Sequence, residues 1–227
     1  MRIPLLVTVA AALCVGSASL PARQPDGAPP IDELVAALQI HWNQVADLTA
    51  DFEQSYTGGV LSTSSVERGT VAIRKPGLMR WDYTDPEEKL YISDGTTLYS
   101  YYPLDQQVIT AALPPDDLTS TPALFLAGRG DLQRDFSVDY DRVTPALPDT
   151  WMVRLTPNRA ASDYDWLTLA VEHDSLRFRQ LIATDSQGGV STFTFSNLME
   201  NQGLSDSLFV FQIPPDTDVI TEDAFIR

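Results

Sequence analysis

The chain has 227 residues and a formal net charge of −16, from 15 basic and 31 acidic side chains. The length suggests one domain or two, and so large an acidic excess disfavours binding to nucleic acid or to anionic lipid headgroups. The charge keeps the chain soluble and would steer it toward basic partners.

The first 22 residues predict a secretory signal peptide. Arg2 supplies a positive start, the apolar run Leu5–Val15 follows, and small residues occupy Gly16–Ser19. The apolar run is too short to span the roughly 30 Å hydrocarbon core of a bilayer. We therefore expect export with cleavage after Ala18 or Ala22, and then a flexible tether rich in Pro and Gly over residues 23–30.

The single cysteine, Cys14, lies inside this apolar run. A bacterial lipidation motif needs a small residue directly before the cysteine, and Leu13 is large. Cys14 is therefore assigned to the discarded segment, which leaves the mature chain without a disulfide, a cysteine nucleophile or a thiolate metal site. A domain of about 200 residues can instead rely on its hydrophobic core.

The first element predicted in the mature chain is an amphipathic helix of about four turns. Apolar residues recur at helical spacing from Ile31 through Val35, Leu38 and Trp42 toward Leu48. A helix that binds a membrane surface is usually basic, and this one carries neither Lys nor Arg. We therefore expect the helix to pack on its own domain, against the apolar face of a sheet.

The most informative stretch is Gly69–Thr110, which three turn signals divide into short strands. The signals are Pro76-Gly77, Asp85-Pro86 and Asp94-Gly95. Asp-Gly between apolar residues is a strong hairpin signal, because a tight turn needs a positive φ at its centre. The stretch therefore predicts a meander of antiparallel strands.

Side chains alternate in polarity along the strand after the first of these turns. Met79, Trp81 and Tyr83 share one face, and Arg80 and Asp82 share the other. We expect the first face to be buried under a helix and the second to be wet. From the pattern alone, the apolar face is either ordinary core or the lining of a cavity.

Four short stretches within Gly69–Thr110 stand in a distinctive order, namely Arg74–Gly77, Arg80–Tyr83, Pro86 and Ile92–Gly95. Together with the tyrosines that follow them, they resemble the signature of the outer-membrane lipoprotein carrier family, LolA. The likeness extends more loosely from the first helix to a Pro-Pro pair near the C-terminus. It implies an unclosed antiparallel β-barrel with helices as a lid.

A short lid helix is predicted in the middle of the chain. Pro114–Asp117 breaks the sheet, and Thr121-Pro122 is typical of an N-cap followed by Pro at the first helical position. Ala123–Ala127 then predicts an apolar helix that ends at Gly128. Because the helix is apolar nearly all round, it must be covered, most simply by lying across the mouth of the sheet.

The rest of the chain is predicted to be strands. They are Phe136–Val143, Thr150–Leu155, Trp166–Val171, Arg177–Ala183, Val190–Phe195 and a final Leu208–Ile213. With the earlier strands the total is about eleven, accompanied by two or three short helices. The predicted fold class is mainly β with an α lid: an unclosed antiparallel β-barrel formed by one domain, residues 31–227.

Residues typical of catalysis or metal binding are sparse. The two histidines are His41 and His173, and there is no serine-hydrolase elbow, His-Glu-x-x-His motif or phosphate-binding loop. The acidic pairs Asp116-Asp117, Asp139/Asp141 and Asp163/Asp165 lie in or near predicted turns, and we interpret them as solvated. The sequence therefore predicts a protein that is not an enzyme and has no cofactor or metal; a secreted hydrolase is the catalytic alternative.

An apolar interior makes a lipid cargo physically sensible. Burying one methylene stabilises by about 0.8 kcal/mol, so one long acyl chain in water costs on the order of 10 kcal/mol. The resemblance implies a monomeric periplasmic carrier that takes lipoproteins from an inner-membrane exporter and delivers them to an outer-membrane receptor. A periplasmic lipid- or lipoprotein-sensing module that regulates a signalling partner is the open alternative.

The resemblance also implies which side chains contact the cargo. The expected cavity lining is Phe52, Met79, Trp81, Tyr83 and Tyr91, with Phe125 and Leu126 facing it from the lid. Lys75 stands where the carriers usually have an arginine that holds the lid shut. Lysine lacks the planar fork of arginine, so Lys75 is either a weaker latch or merely solvated.

Overall fold

The computed structural model of the chain describes residues 25–58, 63–113, 125–129, 131–159 and 164–222. The helical segments in these ranges are α1 (Ile31–Gln44), the short helical turn α2 (Phe125–Arg129), α3 (Leu132–Asp135) and the 3₁₀ turn α4 (Asp206–Phe209). None of them is long and apolar enough to cross a bilayer. The predicted signal peptide and the predicted N-cap at Thr121-Pro122 lie outside the described residues.

The strands of the described ranges form one sheet. They are β1 (Asp47–Gly58), β2 (Thr63–Arg74), β3 (Leu78–Asp85), β4 (Lys89–Asp94), β5 (Thr97–Tyr102), β6 (Gln107–Ala112), β7 (Phe136–Tyr140), β8 (Thr150–Pro157), β9 (Trp166–Glu172), β10 (Phe178–Thr184), β11 (Val190–Glu200) and β12 (Asp218–Glu222). Their order is β12-β6-β5-β4-β3-β2-β1-β11-β10-β9-β8-β7. The two end strands do not pair with each other, so the predicted unclosed, mainly antiparallel barrel is confirmed.

Two meanders build this sheet, and β1 joins them by pairing with β2 on one side and β11 on the other. The predicted Asp94-Gly95 hairpin connects β4 to β5, and Gly95 has a φ of 94°. The Asp94 carboxylate accepts hydrogen bonds from the backbone N–H groups of Thr96 and Thr97 at 2.9 and 2.8 Å. The turn therefore satisfies its own polar groups without help from the core.

A glycine in β2 lets an aromatic ring lie against the sheet. Gly69 is paired with Phe52 of β1 and Tyr83 of β3. A Cβ added at Gly69 would overlap the carbonyl oxygen of Asp82 and would lie 2.9 Å from Cζ of Phe52. The ring of Phe52 can occupy this position because residue 69 has no side chain.

The core lies on the concave face of the sheet. Helix α1 buries Leu34, Leu38 and Trp42 against it, and the rings of Trp42 and Phe178 are 5.0 Å apart. Side chains from both meanders belong to the same buried cluster. Each fully buried aliphatic or aromatic side chain contributes about 1.5–3 kcal/mol, so the packing of α1 on this cluster stabilises the contact between the two halves of the sheet.

The convex face of the first meander is not wet throughout, contrary to the prediction from alternation. Ile92 lies opposite Arg80 on this face and is 0% exposed. The C-terminal segment covers it, with Phe209 buried and Phe211 packed 5.4 Å from the ring of Tyr99. Alternation predicts the face of a side chain, but it does not reveal a second layer on the polar face.

The prediction of a strand at Leu208–Ile213 is also wrong, because these residues belong to the layer that covers the convex face. Its apolar residues anchor α4 and the extended chain after it on the convex face, where Arg80 donates to the carbonyl of Leu208 at 3.5 Å. The edge of the sheet is taken instead by β12, which runs parallel to β6 with Val219 opposite Val108.

Asp47 fixes the turn that leads from β11 to this C-terminal segment. The side chain is 4% exposed. Its carboxylate accepts hydrogen bonds from the backbone N–H groups of Gln202, Gly203 and Leu204 at 2.6, 2.9 and 3.1 Å. One buried carboxylate therefore serves three donors that have no strand partner.

We predict that Asp47→Ala lowers the free energy of unfolding by about 3 kcal/mol, because it leaves three backbone donors without their acceptor. Urea unfolding measures the change. The control is Asp51→Ala on the same strand, where the exposed carboxylate should be worth about 0.5 kcal/mol or less. Equal losses in the two variants would contradict the role given to Asp47.

Candidate functional site

Five of the predicted lining side chains, four of them aromatic, lie together in a row on the concave face. Phe52, Met79, Trp81 and Tyr83 are all buried, between 2% and 8% exposed. The Phe52 ring makes edge contacts with the rings of Trp81 and Tyr83, with centroids 5.1 and 4.8 Å apart. Tyr91 extends the row at 5.5 Å from Tyr83. Of the lining residues predicted, these five therefore lie together.

Two further aromatic residues of this face come from β11. Phe193 and Phe195 lie 5.4 and 6.4 Å from Trp81, measured between ring centroids. Their alternation with threonines along β11 indicates a strand with one apolar face. This alternation does not reveal that β11 pairs with β1. It is the pairing of these two strands that brings the rings of Phe193 and Phe195 next to the row.

The side chains of the row change along the strands from apolar at one end to polar at the other. At its polar end the Tyr83 hydroxyl donates to Oε1 of Gln54 at 2.6 Å, and the hydroxyls of Tyr91 and Tyr102 are 3.3 Å apart. Burial raises the pKa of Tyr83 and of Tyr91, so both phenols keep their protons at physiological pH. These hydroxyls are therefore permanent hydrogen-bond donors.

An ion pair completes the polar end. Nζ of Lys89 is 2.5 Å from Oε1 of Glu67 and 4.8 Å from the centre of the Tyr83 ring. Lys89 is paired with Tyr83 across β3 and β4, so it lies on the concave side of the sheet. The pair leaves this end polar but close to neutral.

The short turn α2 covers part of the apolar end. Leu126 and Ala127 are buried in the same cluster as the aromatic row, and the carbonyl of Ala127 accepts from the N–H of Gly77 at 3.0 Å. Gly128 has a φ of 76°, in agreement with the predicted helix end. The side chain of Phe125 lies outside the described part of the chain, so its predicted position stays a prediction.

Lys75 lies between α1 and α2. Its Nζ is 3.8 Å from the centre of a Trp42 ring and donates to the carbonyl oxygen of Trp42. Its aliphatic stem passes beneath Gly128, where an added Cβ would overlap Cδ of the lysine. Arg74 points to the opposite face and pairs with Asp206.

Burial lowers the pKa of Lys75 to about 8 from its ordinary 10.5, although the Glu200 carboxylate favours the charged form. Glu200 is itself shared, since His41 and Arg177 lie 3.2 and 3.3 Å from its oxygens. Lys75 therefore remains mostly protonated at neutral pH, but its ammonium group is poorly solvated.

The predicted acidic pair Asp139/Asp141 is not solvated throughout. Asp141 is 6% exposed, and its carboxylate accepts from the hydroxyls of Thr144 and Thr168 at 2.8 and 2.7 Å. Burial alone would raise the pKa of Asp141, but the hydrogen bonds from Thr168 and from the backbone of Val143 hold it at about 2. Asp141 is therefore an anchor for its loop.

The other candidates for chemistry have structural partners or lie apart. His173 stacks against Trp151 with ring centroids 4.4 Å apart. Over the described ranges, no group of three or more His, Cys, Asp or Glu side chains is placed to hold a metal ion. Asp116, Asp117 and Asp163 fall outside those ranges.

Comparison with known proteins matches this chain to a family. A family model described as "Outer membrane lipoprotein carrier protein LolA" matches residues 43–212. The outer-membrane lipoprotein carrier protein of Bordetella avium is 30% identical over 181 residues, which cover 78% of this chain and 82% of the relative. That of Methylobacillus flagellatus is 28% identical over 203 residues, or 83% and 96% of the two chains.

A solved structure supports the fold. An uncharacterized conserved protein from Thermus thermophilus superposes with a TM-score of 0.52 at 13% sequence identity, covering 84% of this chain and 98% of that one. At that identity the likeness concerns the fold alone. The family model spans β1 to β11 and includes the whole aromatic row. The chain therefore belongs to the outer-membrane lipoprotein carrier family, LolA.

Proposed function

We propose that this protein is a monomeric periplasmic shuttle that shields the acyl chains of lipoproteins in its concave face. It takes them from an inner-membrane exporter and gives them to an outer-membrane receptor. The observation that carries the proposal is the buried row of Phe52, Trp81 and Tyr83 with Met79 beside it, which is covered in part by the short turn α2.

A short cover suits a carrier, because a guest can displace it at low cost. The described buried side chains of α2 are Leu126 and Ala127. Exposing a leucine costs about 1.5–3 kcal/mol, whereas burying a long acyl chain stabilises by on the order of 10 kcal/mol. Entry of one chain would therefore more than offset the loss of the Leu126 contact.

The family resemblance assigns Lys75 the part of a latch, and its contacts support that part. The side chain touches both elements that cover the apolar end, through Trp42 of α1 and Gly128 of α2. A hydrogen bond to one carbonyl and a cation–π contact can be broken as the cover moves. We propose that Lys75 holds the cover in place when no cargo is bound.

The shuttle proposal predicts that the mature chain carries acylated molecules when it is purified from the periplasm of an expressing bacterium. Mass spectrometry should detect co-purified lipoprotein or lipid, and a fluorescent triacylated lipopeptide should bind and then pass to an acceptor. A folded protein that neither carries acyl chains nor binds the lipopeptide would contradict the proposal. Binding without transfer would favour the lipid-sensing alternative.

We predict that Lys75→Leu slows lipopeptide release about tenfold without changing the fold, since losing the charged hydrogen bond and the cation–π contact destabilises the closed, cargo-free form to which release returns the protein. Stopped-flow fluorescence measures release, and circular dichroism checks the fold. The control is Arg74→Leu, which breaks an ion pair on the opposite face and should leave release unchanged. Lys75→Arg should retain the latch. Unchanged release in Lys75→Leu would argue against the latch.

The lowered pKa of Lys75 predicts a pH dependence of stability. Between about pH 8 and 10.5 the unfolded chain still holds a proton that the folded chain has released, so raising the pH favours the folded state. The free energy of unfolding of the wild type, relative to Lys75→Met, should therefore increase over this range and stay constant below it. Urea unfolding at pH 7, 8, 9 and 10 tests this. A pH-independent difference would rule out the burial of the ammonium group.

A further inference from the structure

The concave face holds a donor site at the boundary between its apolar and polar ends. We propose that Trp81, Tyr91 and Tyr102 bind the ester carbonyls that join two of the acyl chains to the glyceryl group at the cysteine end of a lipoprotein. The inference rests on the proposed function and adds to it a position for the cargo: carbonyls at Trp81, tails toward Met79 and α1, and peptide toward the polar end.

The first observation is an unpaired donor. Trp81 is 3% exposed, and its Nε1 has no hydrogen-bond partner in the described part of the molecule. The rings around it, Phe52, Phe193 and Phe195, offer no oxygen. A buried N–H without an acceptor is destabilising, and buried donors are nearly always satisfied in folded proteins. An acyl carbonyl that entered this face would supply the acceptor.

Trp42 carries the other buried, unpaired indole N–H of the described residues. It belongs to α1, and Lys75 lies over its ring. Trp81 differs because it stands on the sheet itself, directly opposite Tyr91 of β4. Trp81, which carries the unpaired donor, is therefore the cross-strand neighbour of a residue that belongs to a second set of donors.

That second set is the tyrosine pair. The hydroxyls of Tyr91 and Tyr102 share one hydrogen bond of 3.3 Å. Two hydroxyls carry two protons and need only one for the bond between them, so one O–H is left to donate elsewhere. Both rings are half-buried, so a guest can reach them without unfolding the strand.

Burial along the strands gives the direction of entry. On the concave side of β1, Leu48, Ala50 and Phe52 are buried, and the next two residues, Gln54 and Tyr56, are polar and half-buried. The same change runs along β11, from buried Phe195 to half-buried Phe193 and Ser191. An amphipathic guest with its tails at the buried end would place its first polar atoms near Trp81.

The chemistry recognised is the ester carbonyl of a diacylated glycerol. Membrane phospholipids carry the same esters, but they also carry an anionic phosphate. At the polar end of the row, Lys89 is already paired with Glu67, so it offers no unpaired cation to a phosphate. The chain is also strongly acidic overall. A lipoprotein, whose peptide continues from an uncharged thioether, therefore fits this boundary better than a phospholipid.

The test compares two synthetic probes, a tripalmitoyl-cysteinyl lipopeptide and its analogue in which ethers replace the two esters. One variant carries benzothienylalanine at position 81, which keeps the shape of tryptophan but replaces its N–H by sulfur. The other is the double change Tyr91→Phe and Tyr102→Phe. The control is Tyr101→Phe, whose side chain lies on the convex side of β5 against Phe211.

Each site variant should weaken binding of the ester lipopeptide about tenfold, as expected for one lost hydrogen bond in a buried site. Binding of the ether analogue should change less than about twofold, and Tyr101→Phe should change neither. Fluorescence titration measures the affinities, and thermal unfolding of each variant checks the fold.

The failures are distinguishable. If the wild type binds the ester lipopeptide and the site variants bind it equally well, the donor site is wrong and the carrier function stands. If the wild type binds neither lipopeptide, the carrier function itself fails, and the donor site fails with it. Equal or tighter binding of phosphatidylglycerol, with the same loss in the variants, would overturn the assignment of this site to lipoproteins.

Discussion

The constraint that shapes this molecule is a sheet that curves without closing. Its concave face is apolar, and there is no second sheet to cover it within the described residues, so helical segments must do so. Helix α1 has 14 residues and bridges both meanders, whereas α2 has five. The cover is therefore strong on one side and weak on the other. This asymmetry suits a binding site that must open, because displacing α2 would leave α1 packed on the sheet.

A buried ammonium group inside an apolar cover is destabilising, and this cost bears on the latch that we propose for Lys75. Lys75 gains a carbonyl acceptor and an aromatic face, yet burial still lowers its pKa to about 8. In the latch proposed above, the carbonyl and ring contacts of Lys75 hold the cover closed, and opening would let water solvate the ammonium group. This hydration would offset part of the cost of breaking the contacts with Trp42.

Alternation along β3 was enough to place Met79, Trp81 and Tyr83 on one buried face, because a strand has only two faces. The surroundings of Lys75 could not be predicted in this way, since they depend on how α1 and α2 meet over the sheet. Phe193 and Phe195 were missed because they pair with β1 across about 140 residues of sequence, as in the Phe52–Phe195 pair. Asp47 and the covered Ile92 were missed because their partners lie in the C-terminal segment, whose apolar residues resemble those of a strand.

The sequence pattern left open whether the apolar face is core or cavity, and polar atoms help to separate the two. A finished core satisfies its donors, as Asp47 and Asp141 illustrate by serving several donors each. The indole N–H groups of Trp42 and Trp81 are buried without an acceptor in the described structure. Both lie in one buried cluster of the concave face, so the unsatisfied donors coincide with the face that is proposed to receive the cargo. Such donors are expected in a face that completes its hydrogen bonds with a guest. In a face that served only as core, they would be destabilising without any compensating function.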